Sequence, residues 1–360
     1  MSRSFRLTFW ASLTVIGFLC WVLVVWNNPQ RAWVALLAGL TFFLPLSSGL
    51  FIWSAIVKAS NGSWPGKLER IPLASLGCAI PVTVALIALW IWNSYWEPWS
   101  GQKLPQGNWF TVAFVMGRDL TALCGFWILA FFYYKKRIVS NARSLTGWLL
   151  ILYSVTISII GFDLIMGLYP SWSSTVFGLY VIVTALYGSA AVWAVITIAG
   201  GVSSVSQNDK NHTFQFHDRG RLHDISKLIY TFAIMSAYLM FCQLLPLWYE
   251  NIPHETSFLI PRMNFGPWSM VSAGLLFTIY IGPIVFMLPR NVKRTPLPLA
   301  ICCIIILGGL WLERLWLVLP SYSINKLSLS DFGVLLIFIG LCALCMEIMS
   351  TYVPELSYGD

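Results

Sequence analysis

Charged side chains are scarce in this chain of 360 residues: Asp, Glu, Lys and Arg make up 10% of it, against 58% hydrophobic residues. Soluble domains carry about 25% charged residues, so the composition excludes an ordinary soluble domain. The mean hydropathy of +0.74 indicates an integral membrane protein. The net charge of +8 comes from basic residues scattered over short loops, which argues against nucleic acid as a partner.

Histidine is rarer still, with four copies. His212, His217, His223 and His254 all fall in or beside predicted loops, whereas haem b in a membrane bundle needs imidazoles from inside the helices. The sequence also shows no phosphate-binding loop and no Ser/His/Asp arrangement. We therefore expect a chain that binds no redox cofactor and is not catalytic alone.

The eight cysteines all lie within apolar segments, where a thiol is most often a small packing residue. No disulfide framework is indicated. Cys342 and Cys345 have metal-ligand spacing, but the surrounding helix offers no second ligand pair. We expect no metal site.

Ten apolar runs are long enough to cross a bilayer. They predict ten helices, which we number in chain order: 7–27, 33–57, 71–93, 109–134, 145–168, 176–199, 228–248, 267–288, 297–318 and 330–350. Of the 22 Lys and Arg side chains, sixteen fall on the side of the N-terminus, four on the other side (Arg31, Lys103, Arg262 and Lys326) and two within spans. This bias predicts that both termini are cytoplasmic.

Helices 5 and 9 share a motif. Asp163 lies seven residues before Pro170-Ser-Trp, and Glu313 lies seven residues before Pro320-Ser-Tyr, which puts each acid about 10 Å inside the bilayer. Helices four apart run in the same direction. We therefore predict, within a single integral membrane domain (1–360), two parallel-repeat four-helix bundles at 33–168 (helices 2–5) and 176–318 (helices 6–9), flanked by helices 1 and 10.

Six ionisable side chains fall within the predicted helices: Arg118, Asp119, Asp163, Glu313, Arg314 and Glu347. Each costs about 2.5–3.5 kcal/mol at a helix centre, so such groups normally face a partner or a wet cavity. Matching depths predict an Arg118–Asp163 contact, and adjacency predicts a Glu313–Arg314 couple.

Four acids against two bases leave at least one acid without a partner, which makes these residues candidates for a proton path. The alternative is that the pairs only hold helices in register. Glu347, near the end of helix 10, can simply extend to the interface.

Hydroxyl and amide groups are frequent in helices 6 to 8. They usually bond locally or to a neighbouring helix, so each is weak evidence for a water wire. Gln243 is the least ordinary of the set: Tyr180, Tyr187, Tyr230, Ser236, Tyr238, Gln243, Thr278 and Tyr280.

The second half of the chain resembles the NrfD/PsrC-like membrane subunits, and among them the ActF-like subunits of alternative complex III. The resemblance is carried by segments 161–178 (GFDLIMGLYPSWSSTVFG), 223–228 (HDISKL), 247–256 (LWYENIPHET) and 310–320 (LWLERLWLVLP). The first third of the chain matches mainly by helix count. Glu313 stands where the family pattern has Asp, and Ile225-Ser226 where it has Leu-Gly.

The resemblance implies a cofactor-free subunit in the cytoplasmic (inner) membrane of a bacterium, in contact with lipids. Its expected partners are a homologous quinol-binding subunit, a multihaem cytochrome c and an iron–sulfur subunit, which together oxidise menaquinol and reduce a cytochrome c or an oxidase. It also implies a proton path that includes Asp163, Arg118, Glu313 and Arg314.

Two other functions fit the sequence. An NrfD-type quinol-binding anchor of another iron–sulfur or molybdenum oxidoreductase would place a quinone headgroup near an Arg or Asp cluster. A secondary transporter would show broken helices at the midplane, for which Pro45 and Pro81 are the early candidates.

Overall fold

The computed structural model describes residues 3–98, 107–139, 143–208, 216–250, 253–263 and 266–353. Across these ranges the chain is helical and has no strand. Ten helices are long and apolar enough to cross a membrane, so the prediction of an all-α, multi-pass membrane protein with ten spans is confirmed. Helices 1 to 10 are Arg3–Asn27, Pro29–Ala59, Gly66–Ile91, Val112–Ile138, Arg143–Leu168, Phe177–Gly200, Gly220–Glu250, Pro267–Phe286, Pro296–Tyr322 and Leu329–Met349.

The two motif-bearing helices end in the same way. The α-helical part of helix 5 ends at Leu164 and is followed by a 3-10 turn, Met166–Leu168. Helix 9 ends its α-helical part at Val318 and continues as the 3-10 turn Leu319–Tyr322. We call the side of the bundle where both helices end the Trp172 face, and the opposite side the Arg137 face.

Helix 2 is the centre of the fold. Its most apolar window is 94% buried, and it packs against helices 1, 3, 5, 6, 9 and 10. Such enclosure requires its polar groups to be bonded within the protein. The hydroxyls of Thr41 and Ser48 donate to carbonyls of their own helix, and the Trp53 indole donates to Ser189 of helix 6 at 2.9 Å.

Helices 3 and 8 also depart from regular α geometry, in both cases within the helix rather than at its end. Helix 3 is interrupted by the 3-10 turn Ser75–Cys78, shortly before Pro81. Helix 8 contains a π-helical segment, Leu276–Ile281. Pro45, by contrast, lies within the uninterrupted helix 2 and is not a break.

An additional short helix, Pro253–Met263, lies between helices 7 and 8 at the Trp172 face. The sequence predicts a loop for this stretch. It also predicts that the histidines fall in or beside loops, whereas His217 and His223 belong to the α-helix Phe216–Glu250 and His254 to the short helix. His212 lies outside the described residues.

Helices 1 and 10 pack closely because glycines line their contact. A Cβ at Gly17 would lie 2.6 Å from the carbonyl oxygen of Gly333, and one at Gly340 would lie 2.8 Å from that of Trp10. Small residues allow the backbones of two helices to approach each other closely. Such packing matters in a membrane, because the hydrophobic effect does not drive helices together there. The first and last helices are therefore held together mainly by backbone proximity.

We expect Gly17→Val to separate helices 1 and 10 and to lower the free energy of unfolding by about 1–3 kcal/mol, the usual cost of overpacking. Thermal unfolding of the purified protein in detergent measures the loss. Gly125→Val is the matched control, since a Cβ there meets nothing within 4 Å. Equal stability of the two variants would contradict the close approach.

Candidate functional site

The first acid cluster joins helices 4 and 5 near the Trp172 face. Arg118 Nε donates to Asp163 Oδ2 at 2.9 Å, and its Nη2 contacts both carboxylate oxygens. The two side chains are 13% and 5% exposed. The contact predicted from matching depths is therefore present, in the bidentate form that is strongest for arginine and carboxylate.

Asp119 adds a second acid to this cluster. It is fully buried, and within the described part of the chain neither of its carboxylate oxygens has a hydrogen-bond partner. The carboxyl is near enough to that of Asp163 for the two groups to interact electrostatically. The cluster thus holds two acids and one arginine, and the arginine is bonded to Asp163 while Asp119 has no hydrogen bond among the described residues. Two like charges in one buried cluster are costly.

Aromatic rings cover the arginine. The guanidinium of Arg118 lies 4.4 Å from the ring centre of Trp109 and 5.2 Å from that of Phe114. Cation–π attraction of this kind is stronger when the cation is desolvated. The rings therefore hold the arginine against Asp163 on the side away from the bundle centre.

A cavity of about 560 Å³ opens beside Asp163. Besides that carboxyl, its lining includes Gln243 and Glu255 among aromatic side chains such as Trp109 and Trp172. Gln243, the polar residue of helix 7 singled out from the sequence, therefore belongs to the same site as Asp163. The cavity connects the Asp163 carboxyl with the Trp172 face.

The second acid cluster lies in the bundle core. Glu313 and Arg314 are 1% and 3% exposed, but their closest charged atoms are 3.8 Å apart. Glu313 Oε1 instead accepts hydrogen bonds from the hydroxyls of Tyr180 and Tyr280, and Arg314 donates to the Thr184 hydroxyl. The predicted local couple is thus a loose contact within a network of hydroxyls.

This second cluster is incompletely bonded. Glu313 Oε2 and Arg314 Nη1 are buried without a hydrogen-bond partner among the described residues. An unsatisfied buried polar atom costs about 1–3 kcal/mol, more when it is charged. Both clusters therefore contain a carboxyl whose bonding capacity is unfilled.

Glu347 does not belong to either cluster. It pairs with Arg6 of helix 1, whose Nη2 lies 2.6 Å from Glu347 Oε1. The count of four acids against two bases was therefore incomplete, because it left out a basic residue near the N-terminus. Glu347 acts as a link between helices 1 and 10 at the Arg137 face.

Two further buried ion pairs were not predicted. Arg31 at the start of helix 2 binds Asp331 at the start of helix 10, with Nη1 to Oδ1 at 2.9 Å. Arg137 at the end of helix 4 binds Glu69 at the start of helix 3, at 2.8 and 3.0 Å. The available signal was position: each pair consists of helix ends that meet at one face.

Arg262 was assigned to a loop but is fully buried. From the short helix it donates to the carbonyl oxygens of Trp316 and Leu317 at 3.2 and 2.7 Å, and to the Ser321 hydroxyl at 2.9 Å. These carbonyls belong to the end of helix 9, which leaves its last carbonyls without intrahelical partners. Arg262 therefore fixes the end of the helix that carries Glu313.

Glu97 is a buried acid outside the candidate spans. It lies between helices 3 and 4, is 7% exposed, and neither carboxyl oxygen finds a hydrogen-bond partner in the part of the chain described. Burial raises the pKa of Glu97 to about 7. The position of Glu97 outside the predicted spans gives no sign in the sequence that the residue is buried.

We expect Arg118→Gln to lower the free energy of unfolding by about 3–5 kcal/mol, because it leaves a buried carboxylate without its cation. Asp119→Asn should leave stability unchanged or raise it, since it removes an unpartnered acid. Titration of the purified variants with sodium dodecyl sulfate in mixed micelles measures both. The double variant Arg118→Gln/Asp163→Asn should recover most of the loss; a single Arg118→Gln variant as stable as the wild type would contradict the cluster.

Glu97 gives a pH-dependent prediction. Between pH 4.5, the ordinary pKa of glutamate, and about 7, the unfolded carboxyl is ionised while the folded one keeps its proton, so stability falls as pH rises through this window. We expect Glu97→Gln to remove this fall, which makes the variant more stable than the wild type by about 2 kcal/mol at pH 8 and equal to it at pH 4. A stability difference that is the same at both pH values would contradict the prediction.

Neither a scan against protein-family models nor a search of curated proteins finds a match to this chain. A function must therefore be inferred from the two acid clusters and the cavity beside Asp163.

Proposed function

We propose that this chain is a cofactor-free membrane subunit of a quinol:cytochrome c or quinol:electron-acceptor oxidoreductase of the alternative complex III type, and that it supplies intramembrane groups for a proton path. The observation that carries the proposal is the first cluster, in which Asp163 is bonded to Arg118 beside a cavity and a second buried acid, Asp119, has no hydrogen-bond partner among the described residues. A cluster of two acids and one base is neutral when it holds one proton and gains a charge when that proton leaves.

The two clusters have the chemistry of proton-transfer stations. In the first, the proton exchanges between adjacent carboxyls, and the cavity lets it reach the Trp172 face. In the second, Glu313 is bonded to two tyrosine hydroxyls. A tyrosine hydroxyl can act both as a hydrogen-bond donor and as an acceptor. Arg118 and Arg314 are charged under all ordinary conditions and would set how easily each acid ionises.

The expected partners follow from the resemblance of segments 161–178, 223–228, 247–256 and 310–320 to NrfD/PsrC-like subunits. They are a homologous quinol-binding subunit, a multihaem cytochrome c and an iron–sulfur subunit. Menaquinol, haem c and iron–sulfur centres would belong to these partners. Residues 251 and 252 of the third segment lie outside the described residues.

The proposal includes two parallel four-helix bundles, helices 2–5 and 6–9. Two observations support it: helix 2 packs against helix 5 as helix 6 packs against helix 9, and helices 5 and 9 both end in a 3-10 turn.

It also includes an orientation with both termini in the bacterial cytoplasm and the Trp172 face outside. The distribution of basic residues supports this orientation. Four basic residues were assigned to the Trp172 side. Two of them, Arg31 and Arg262, are buried and hydrogen-bonded to other parts of the protein, and Lys103 lies outside the described residues.

One observation favours the quinol-binding anchor as a second candidate. The cavity beside Asp163 is bounded by aromatic rings and contains a carboxyl and an amide, which suits a quinone headgroup. A quinone resolved in this cavity would select the anchor. A secondary transporter is less well supported, because the interruptions in helices 3 and 8 do not occupy corresponding positions in the two proposed bundles.

We expect Asp163→Asn to lower quinol-dependent turnover or proton release of the isolated complex at least tenfold, because the amide keeps the shape of the side chain but cannot hold a transferable proton. Turnover with a short-chain quinol and proton release from the complex in liposomes are the measurements. Glu69→Gln is the matched control, being a buried acid already bound by Arg137. Unchanged turnover and proton yield in Asp163→Asn would leave these pairs with a structural role only.

Isolation of the complex under native conditions tests the expected partners. Subunits that carry haem c and iron–sulfur centres should co-purify with this chain. Purification as a homo-oligomer or a monomer from its own membranes would contradict membership of an electron-transfer complex.

A further inference from the structure

Basic side chains gather at the Arg137 face, where helices 7 and 9 begin. The link between helices 8 and 9 contains a short helix, Arg290–Arg294, that packs against helices 7 and 9. His223 of helix 7 interacts electrostatically with Lys293 and Arg294 of this link, and with Lys227 one turn further along its own helix. We call these four side chains the basic patch.

The basic patch is poorly supplied with acids. Elsewhere on this face Arg137 is bound by a buried glutamate at 2.8 Å. In the patch, Lys227 Nζ lies 2.8 Å from Asp224 Oδ1, but the two side chains are 57% and 40% exposed, and an ion pair in water is weak. Lys293 and Arg294 form no ion pair with the described residues. The patch therefore carries positive charge that the described part of the chain does not balance.

Lys293 is held against helix 7 by an aromatic ring. Its Nζ lies 4.5 Å from the ring centre of Tyr230. A ring attracts the ammonium group but leaves N–H donors of that group available to an anion. The Nδ1 atom of His223 is also buried without a hydrogen-bond partner among the described residues. The hydrogen-bonding capacity of the patch is therefore not filled by these parts of the protein.

Exposed apolar side chains continue from the patch along helix 7. Tyr230, Ile234, Tyr238 and Phe241 follow Lys227 at intervals of three or four residues, so all five lie on one side of the helix. Ile234, Tyr238 and Phe241 are 44%, 63% and 57% exposed. From Tyr230 to Phe241 the helix rises about 16 Å, close to half the thickness of a hydrocarbon core. We call the four residues after Lys227 the helix 7 stripe.

We propose that the basic patch binds the phosphate of an anionic phospholipid, and that an acyl chain of this lipid lies along the helix 7 stripe. Lys293 and Arg294 donate to the phosphate oxygens, and Lys227 adds positive charge beside them. Basic side chains between helices near a membrane surface recognise anionic headgroups in this way. The site uses neither acid cluster, so it stands or falls separately from the proposed proton path.

The position of the patch favours a lipid over a soluble anion. Lys293 and Arg294 lie just before Pro296, the first residue of the helix 9 span, and headgroups lie just outside the hydrocarbon core. A soluble phosphate would meet the same cations but would leave the stripe uncovered. A zwitterionic lipid would cover the stripe, but it brings a cation of its own to a patch that is already positive.

The test measures binding of radiolabelled dioleoylphosphatidylglycerol and dioleoylphosphatidylcholine to the full chain in detergent micelles, with any subunits that co-purify. We expect saturable binding of phosphatidylglycerol that is tighter by about tenfold or more. Lys293→Gln/Arg294→Gln should reduce this preference to within about twofold, whereas Lys293→Arg, which keeps the charge, should retain it. Equal binding of the two lipids by the wild type would overturn the proposal.

A matched variant separates a specific site from general attraction. Lys135→Gln/Lys136→Gln removes two adjacent exposed cations from the end of helix 4 at the same face and should leave the preference unchanged. An equal loss in both double variants would overturn the proposal. Glycerol 3-phosphate should not displace the bound lipid; if it does so as well as a short-chain phosphatidylglycerol, the patch is a site for soluble anions and the proposal is wrong.

Photolabelling locates the acyl chain. A phosphatidylglycerol with a diazirine on one acyl chain should label helix 7 between Ile234 and Phe241 in the wild type, and this labelling should be lost in Lys293→Gln/Arg294→Gln. Labelling confined to other helices would overturn the proposal. Thermal unfolding shows whether the double variant is folded. If it is not, Lys293→Gln alone should lower both the preference and the labelling of helix 7.

Discussion

A carboxylate buried in a membrane bundle must be neutralised by a base or by a proton, because an isolated charge in an apolar medium is too costly to keep. Four pairs satisfy this constraint and tie together helices 1 and 10, 2 and 10, 3 and 4, and 4 and 5: Arg6–Glu347, Arg31–Asp331, Glu69–Arg137 and Arg118–Asp163. Within the described part of the spans, Asp119 has no hydrogen-bond partner, and Glu313 contacts Arg314 only at 3.8 Å. Charge pairing therefore selects helix neighbours and leaves these two acids incompletely bonded.

The two incompletely paired acids differ in their surroundings more than in their chemistry. The Asp119–Asp163 cluster adjoins a cavity with polar and aromatic walls at the Trp172 face, whereas Glu313 lies at the bottom of an apolar groove on a lateral surface. The two acids that precede a Pro-Ser-aromatic sequence therefore adjoin cavities of different polarity.

Hydropathy was sufficient to predict the ten spans, since length and composition determine which segments cross a membrane. Depth along the helix axis was also sufficient to predict the contact between Arg118 and Asp163. Adjacency in the sequence was insufficient to predict the partners of Glu313 and Arg314. Consecutive helical residues point about 100° apart, and these two side chains form their hydrogen bonds with hydroxyls of other helices. Arg262 was missed because its helix is only 11 residues long, too short to register as a span.

The glycine contact between helices 1 and 10 has a consequence for the way the chain is made. Helix 1 is only 6% buried over its most apolar window, and its closest packing is against a helix more than 300 residues later in the chain. Because synthesis runs from the amino to the carboxyl end, helix 1 is made before helix 10 and reaches its closest contact only once helix 10 is in place. A variant without helix 10 would therefore leave the Gly17 side of helix 1 facing lipid.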